Sequence, residues 1–458
     1  MNFKLLNLRI FQVVLILCFF TVNSAIASEF DMANADKEVI GLTYILERSI
    51  ERNLELIIKD LDTDTAKWDF IEEFSNALPD IKLTATKQDL DGTFFLNPQF
   101  QGNIDTTQAN FTLGISYRAF NGGQTTFAIM ADNYFRKAAK EDYRRQYNQV
   151  VFDSIKLFNN LIQNQSALIS KSKTVDEATL NLKLAEDKLE VGEGTLYEVL
   201  LAKSRLAITK QDLMDQKARL RVVQIDLARH LNLPLDSPLF ADKDRLNNFH
   251  IINDDLSPEN LIEISYENNP EIKMALDQKK AILRQELASY GRFLPALDLY
   301  ANIAANGTEF DDLNQLNTIG FQLSYEFGEN SGLSSVSSIR KAKIETKKAK
   351  IRLEDTTKEI EARLRRSYVE YKRTEANIDT AKASLDAANE ALKLSKLRYE
   401  NGREILKDLI DNESKQSIAE ISLIDSIALH NIAQANLAFD LGNFSVENIV
   451  GTNFKESH

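Results

Sequence analysis

The stretch LIQNQSALISKSKTVDEATLNLKLAEDKLE, residues 161–190, decides the fold. Leu161, Leu168, Val175, Leu182 and Leu189 recur in it every seven residues, with no Gly or Pro between them. An apolar seven-residue repeat held over four heptads predicts a long helix packed on its neighbours as a left-handed coiled coil. The same phase returns 210 residues later as Tyr371, Ile378, Leu385, Leu392 and Tyr399. Beside the stripe lie Ala178, Ala185, Ala381 and Ala388, small enough to let helix axes approach closely.

Outward from this stretch, the helix breakers repeat as well. Gly123 and Gly192 enclose 68 residues free of Gly and Pro, Gly332 and Gly402 enclose 69, and 39 such residues follow both Gly194 and Gly402. At about 1.5 Å per residue the longer runs predict helices of roughly 100 Å. Ile45 to Asn53 followed by Leu78-Pro79 recurs as Ile264 to Asn269 followed by Leu294-Pro295, with Asn53 and Asn269, and Pro79 and Pro295, 216 apart. The chain is one plan written twice. The expected organisation is a leader at 1–27, a first repeat at 28–231, a linker at 232–260, a second repeat at 261–450 and a tail at 451–458. Each repeat holds a β-hairpin (80–120 and 296–328) followed by a long helical hairpin (123–231 and 332–441). Pro234, Pro238 and Pro258 fall in the acidic linker, which is expected to be irregular.

The hairpins show period-two alternation. Ile81, Leu83 and Ala85 alternate with polar residues, as do Phe111, Leu113, Ile115, Tyr117 and Ala119. In the second repeat the apolar sets are Leu297, Leu299, Ala301 and Ile303, then Ile319, Phe321, Leu323, Tyr325 and Phe327. The polar tips are expected at 89–108 and 307–317. Tyr117, Phe120, Tyr325 and Phe327 end the apolar face as an interfacial aromatic girdle would. The helices that would cover such a sheet in a soluble protein are already committed to coiled-coil seams. Four strands cannot close by themselves, since the smallest closed barrels have about eight and lipid tolerates no open edge. Several copies of the chain must therefore share one wall.

The amino terminus reads as an export signal. Lys4 and Arg9 precede the apolar run Ile10 to Val22, and Ala25-Ile26-Ala27 fits a small-x-small cleavage site before Ser28. The run is too short for a spanning helix, which needs ~20 residues. Cys18 follows Leu17 rather than the small residue a lipoprotein signal requires, so it is not read as a lipid attachment site. As the single Cys lies in the leader, thiol and disulfide chemistry leave with it. No later stretch is apolar enough to span a bilayer as a helix, whereas barrel strands leave mean hydropathy unremarkable.

The remaining composition narrows the function. A net charge of −13 argues against binding nucleic-acid phosphates, which takes clustered Lys and Arg. With 16 Gly and 7 Pro in 458 residues, collagen-like and linker-dominated chains are excluded. His230, His250, His430 and His458 show no metal spacing and are expected at the surface or at helix ends. No nucleophile elbow, phosphate loop or catalytic carboxylate pair is evident, so neither an enzyme nor a cofactor is expected.

Phe120-Asn121-Gly122-Gly123 at the strand-to-helix junction, Leu189-Glu190-Val191-Gly192 with Tyr197-Glu198-Val199-Leu200, and Tyr399-Glu400-Asn401-Gly402 with Lys407-Asp408-Leu409-Ile410-Asp411 together resemble the TolC-like outer-membrane efflux family. The match covers nearly all of residues 38–450, and the order, duplication and spacing of these short motifs make it specific. The resemblance implies a mainly α fold with a membrane β-barrel part. Duplicated coiled-coil helical hairpins and four β-strands per chain would close, as a homotrimer, into a 12-stranded barrel and an α-helical tunnel. It also implies an outer-membrane location reaching into the periplasm, a periplasmic adaptor, and an inner-membrane pump or ABC transporter. The chain would then be a passive exit duct for efflux or type I secretion.

The family's closed end lies at the turns between the long helices. Gly192, Glu193, Gly194, Gly402 and Arg403 are accordingly expected to contact the adaptor. Asp408 and Asp411 match carboxylates that ring the aperture, and Tyr399 matches a gating tyrosine. Where family members hold the gate with an Arg two residues after the Gly, this chain has Glu404, with Arg403 one residue earlier. The competing class is a periplasmic or surface coiled-coil protein that transports nothing.

Overall fold

A computed structural model describes residues 38–97, 100–241, 257–308, 310, 313–325 and 333–442. The described residues from Val39 onward form one compact unit. The leader, the tail, most of the linker, and His250, His458 and Phe327 lie outside the described residues.

The first repeat runs β1 (Glu38–Ile40), α1 (Leu42–Arg52), α2 (Leu54–Ser75), β2 (Asp80–Asn97), β3 (Phe100–Asn121), α3 (Gln124–Glu190) and α4 (Leu196–His230). After β4 (Leu239–Ala241) come α5 (Pro258–Asn268), α6 (Pro270–Tyr290), β5 (Ala296–Gly307), β6 (Leu313–Ser324), α7 (Leu333–Glu400) and α8 (Leu406–Leu441). The 67 residues of α3 and 68 of α7 give helices of about 100 Å. Each is about twice as long as the helix following it; α3 also packs against α2 and α6, and α7 against α6.

The duplication reaches single hydrogen bonds. Asn53 caps α2 by accepting from the backbone N–H of Glu55 at 3.1 Å, while its Nδ2 donates to the carbonyl of His230 at 3.2 Å. Asn269 caps α6 by accepting from Glu271 N–H at 2.9 Å and donates to the carbonyl of Asp440 at 3.0 Å. Side-chain caps satisfy amides that the first helical turn leaves unpaired. One asparagine thus pins a short helix to the end of a long hairpin in both repeats.

The four long strands form one antiparallel sheet in the order β2-β3-β5-β6. Register places Leu83 beside Leu113 and Leu113 beside Ile303; Ile115 sits beside Ala301, and Ala301 beside Ile319. The apolar sets of both repeats therefore share one face, and they stay exposed: Ile81 is 72% accessible, Ile319 87% and Phe321 72%. Tyr117 and Phe120, three residues apart, would face opposite ways in a regular strand. A bulge at Ala119 puts Phe120 opposite Leu297, on the same face as Tyr117 opposite Leu299.

Three expectations change. The strands continue through most of the expected tips: residues 89–97 pair with 100–107, and 313–317 pair with 303–307. In the first hairpin the period-two pattern breaks there, since Lys87, Asp89 and Asp91 follow Ile81, Leu83 and Ala85 at the same spacing, so backbone pairing carries the ladder on where no apolar alternation announces it. The linker is not wholly irregular, since β4 pairs with β1 and Pro258 opens α5 at its first position. Finally, one of the two described histidines is interior. His430 is 2% exposed, stacked 5.3 Å from the Tyr371 ring with Nδ1 3.2 Å from Thr374 Oγ1. His230 does end α4, but its Nε2 lies 2.8 Å from Ser154 Oγ and burial pushes the imidazole pKa down.

Candidate functional site: the tunnel-end turns

Both long hairpins turn through the same backbone device. In the first, Gly192 N–H donates to the Leu189 carbonyl at 3.1 Å and Glu193 N–H to the Lys188 carbonyl at 2.9 Å. In the second, Gly402 N–H donates to Tyr399 at 3.1 Å and Arg403 N–H to Arg398 at 2.8 Å. These paired bonds form a Schellman motif, whose left-handed residue is best filled by Gly. Gly192 has φ 77° and Gly402 φ 67°. Gly194 serves differently: its amide also bonds the Lys188 carbonyl, and a Cβ there would lie 2.9 Å from Leu189 N.

The two turns meet. Ala185 of α3 and Ala202 of α4 are buried in one cluster with Leu392 and Tyr399 of α7 and Leu406, Leu409 and Ile410 of α8. Lys188 places its ammonium 4.0 Å from the centre of the Tyr399 ring, within reach of a cation–π attraction. Tyr399 is only 4% exposed, so within one chain it fastens the turns together instead of projecting from them. Sequence reasoning missed Lys188, one residue before a stripe position and legible only as a solvated helix charge.

Asp408 and Asp411 lie on the first turns of α8 and are exposed, as is Lys407 between the turn and the pair. Gly192, Glu193, Gly402 and Arg403 are exposed at the same end of the hairpins, with Gly194 half-buried. Glu404 is half-buried, with its Oε2 turned inward and no hydrogen-bond partner among the described residues.

Above the turns, α3 and α8 meet along a polar seam. Gln163 Nε2 donates to Asp425 Oδ1 at 2.7 Å, Ser170 Oγ to Glu420 Oε2 at 3.0 Å, and Asn181 Nδ2 to Glu413 Oε2 at 2.9 Å. Glu413 is 6% exposed. Burial pushes its carboxyl up from the usual range; the Asn181 hydrogen bond opposes the shift, and Glu177 adds to it. Among the described residues no cluster of His, Cys, Asp or Glu could hold a metal ion. No helix there is long and apolar enough to cross a membrane.

This arrangement of duplicated hairpins, shared turns and a one-faced apolar sheet has known counterparts. The family described as "Outer membrane efflux protein" matches residues 48–233 and 261–443. The chain belongs to this family. The protease secretion protein PrtF of Dickeya chrysanthemi is 22% identical over 453 residues, covering 92% of each chain. TolC of Vibrio cholerae is 25% identical over 179 residues, where the match covers 38% of this chain and 39% of TolC. Among solved structures, the CmeC outer membrane channel of Campylobacter jejuni aligns with a TM-score of 0.80 at 16% identity, covering 95% of this chain and 96% of CmeC. A membrane protein from Pseudomonas aeruginosa aligns at 0.79 and 16% identity, covering 92% and 100%. These likenesses establish the fold of this efflux-protein family.

Proposed function

We propose that three copies of this chain form an outer-membrane exit duct, whose partners are a periplasmic adaptor and an inner-membrane pump or ABC transporter. The observation that carries this reading is the four-stranded sheet. One face is apolar and exposed, and neither outer edge has a partner strand among the described residues. Lipid accepts such a sheet only once its edges are closed, and four strands are half the number in the smallest closed barrels of about eight. Three copies supply twelve. The long hairpins then continue the same wall as a periplasmic tunnel. Transport is passive in this reading, with energy supplied by the partner pump.

PrtF is a protein-secretion component by name, and TolC an outer-membrane protein. Their likeness supports export through the outer membrane, in efflux or in type I secretion. The expected result is that mature protein needs detergent for extraction and migrates as a trimer until heated. A monomer that dissolves freely without detergent favours the non-transporting coiled-coil reading and sinks this one.

At the tunnel end, Asp408 and Asp411 are three residues apart on the first turns of α8 and share a helix face. Threefold repetition concentrates six carboxylates at one constriction, which attracts cations and repels anions. Their exposure within the single chain supports this role. Asp408→Asn combined with Asp411→Asn lowers cation preference in bilayer conductance; unchanged selectivity would remove the ring. The exposed turn residues Gly192, Glu193, Gly402 and Arg403, with half-buried Gly194, are the adaptor contacts in this reading.

A further inference from the structure

On the sheet face opposite the apolar one, two cross-strand pairs are built around a missing side chain. Gly320 of β6 stands opposite Tyr300 of β5, and a Cβ at Gly320 would lie 2.7 Å from both Cζ and Oη of Tyr300. Gly114 of β3 stands opposite Asn302 of β5, and a Cβ there would lie 2.7 Å from Asn302 Oδ1. Both β5 side chains therefore lie flat across a neighbouring strand, Tyr300 over β6 and Asn302 over β3. One pair nearer the helices, Arg118 Nε donates to Asp298 Oδ1 at 2.8 Å. Arg118, Asp298, Tyr300 and Gln322 face a cavity of about 1120 Å³, which the ends of the helices close on the other side through Gln124 and Ser338.

We infer that Tyr300 and Gly320 set the bore of the duct where strands give way to helices, and so decide how bulky a cargo passes. The inference rests on the duct reading above, in which this polar face lines the lumen. Barrels of about 8 strands are filled by their own side chains, while those of roughly 16 to 18 hold an open water channel. A twelve-stranded wall falls between these limits, so its bore depends on whether inward side chains lie down or stand up. A ring laid over a glycine leaves the lumen open. Any Cβ at position 320 displaces the ring, because the approach falls well inside van der Waals contact. Towards β3 the residue directly opposite Tyr300 is Ser116, which carries the Cβ that Gly320 lacks, and the positions on either side of it are taken by Asn302 over Gly114 and by the Arg118–Asp298 ion pair. The displaced ring is therefore directed out of the sheet and into the lumen, three times around the wall.

The test uses the cysteine-free mature chain with a reporter thiol at Ser338→Cys, labelled in whole cells by membrane-impermeant maleimides of graded size. The expected result is that Gly320→Val leaves labelling by the smallest reagent unchanged and causes a loss of labelling by the large ones. Adding Tyr300→Ala restores the large reagents, because no ring remains to be raised. The inference is overturned if Gly320→Val leaves the size dependence untouched, or if Tyr300→Ala fails to restore it. Gly320→Ala gives the same comparison where the valine variant does not assemble, since a Cβ alone meets the ring. If the smallest reagent fails to reach Ser338→Cys in the otherwise unaltered chain, the duct reading falls and takes this inference with it.

Discussion

The turns at residues 191–195 and 401–405 share a backbone and differ in what holds the helix that follows. After the first, Thr195 closes a capping box with Glu198: Glu198 N–H donates to Thr195 Oγ1 at 3.3 Å, and Thr195 N–H to Glu198 Oε2 at 3.0 Å. After the second, the cap position is Ile405, with no side-chain bond, and Asp408 stands where Glu198 stood. The apolar residues invert this order. Leu196 and Leu200 are 62% and 57% exposed, while their counterparts Leu406 and Ile410 are 0% and 7% exposed. The first turn is held by local bonds and leaves its apolar side free for another chain. The second is held by burial against the first repeat, and its carboxylates are spared from capping. A local cap survives movement of neighbours, whereas a shared cluster does not.

The largest test of this difference is Leu406→Ala against Leu196→Ala. Truncating a fully buried Leu costs about 2–5 kcal/mol, and an exposed one within about 0.5 kcal/mol. Denaturant unfolding followed by circular dichroism should separate the two; equal losses in the monomer would break the comparison. Next in size is the feature the turns share. Gly192→Ala and Gly402→Ala each place a Cβ in a left-handed residue, costing about 1–2 kcal/mol, with nothing within 4 Å of either Cβ. The two melting temperatures should fall together, and a large inequality would mean that one turn is strained by its surroundings. Thr195→Ala should cost about 1 kcal/mol, seen as faster amide exchange in the first turn of α4. Ile405→Thr should slow exchange at the start of α8 by giving Asp408 a capping partner.

The duplication was legible because helix breakers are sparse and their spacing survives when side chains diverge. Gly192, Gly402, Asn53 and Asn269 each do a backbone job that few residues do, so the same residue stands at the corresponding place in both repeats. The strand ends were illegible for the opposite reason: pairs such as Gln88 with Gln108 and Asp89 with Thr107 continue the ladder after the apolar alternation of Ile81, Leu83 and Ala85 has given way to Lys87, Asp89 and Asp91. The bulge at Ala119 shifts side-chain phase by one residue without any change in composition. At the candidate site, heptad reading assigns polar residues to solvent, and it therefore passed over the seam where Asn181, Ser170 and Gln163 meet α8. His430 was hidden in the same way, since its partners Thr374 and Tyr371 lie on another helix.

That seam supplies the smallest expected effect and the sharpest contrast between the repeats. Glu413 is 6% exposed, whereas its counterpart 210 residues earlier, Lys203, is exposed. Burial raises the Glu413 pKa above the usual glutamate range; Asn181 from α3, Lys396 from α7 and Arg205 from α4 act against this rise, and Glu177 from α3 supports it. A carboxyl whose pKa is higher folded than unfolded binds more protons in the native state between the two values. Stability therefore falls as pH rises from about 4.5 through that window, and the ionised group is a cost at neutral pH. Glu413→Gln keeps an oxygen to accept from Asn181 and removes the buried charge. Its melting temperature should exceed that of the unaltered chain at pH 7, with the difference shrinking to nothing as pH falls below about 4.5. Lys203→Gln, on the exposed counterpart, should show no such pH-dependent gain. A glutamine variant less stable at pH 7 would mean that Lys396 and Arg205 compensate the carboxylate fully. The seam would then be held by charge, and the second hairpin would be fastened at two levels rather than at its turn alone.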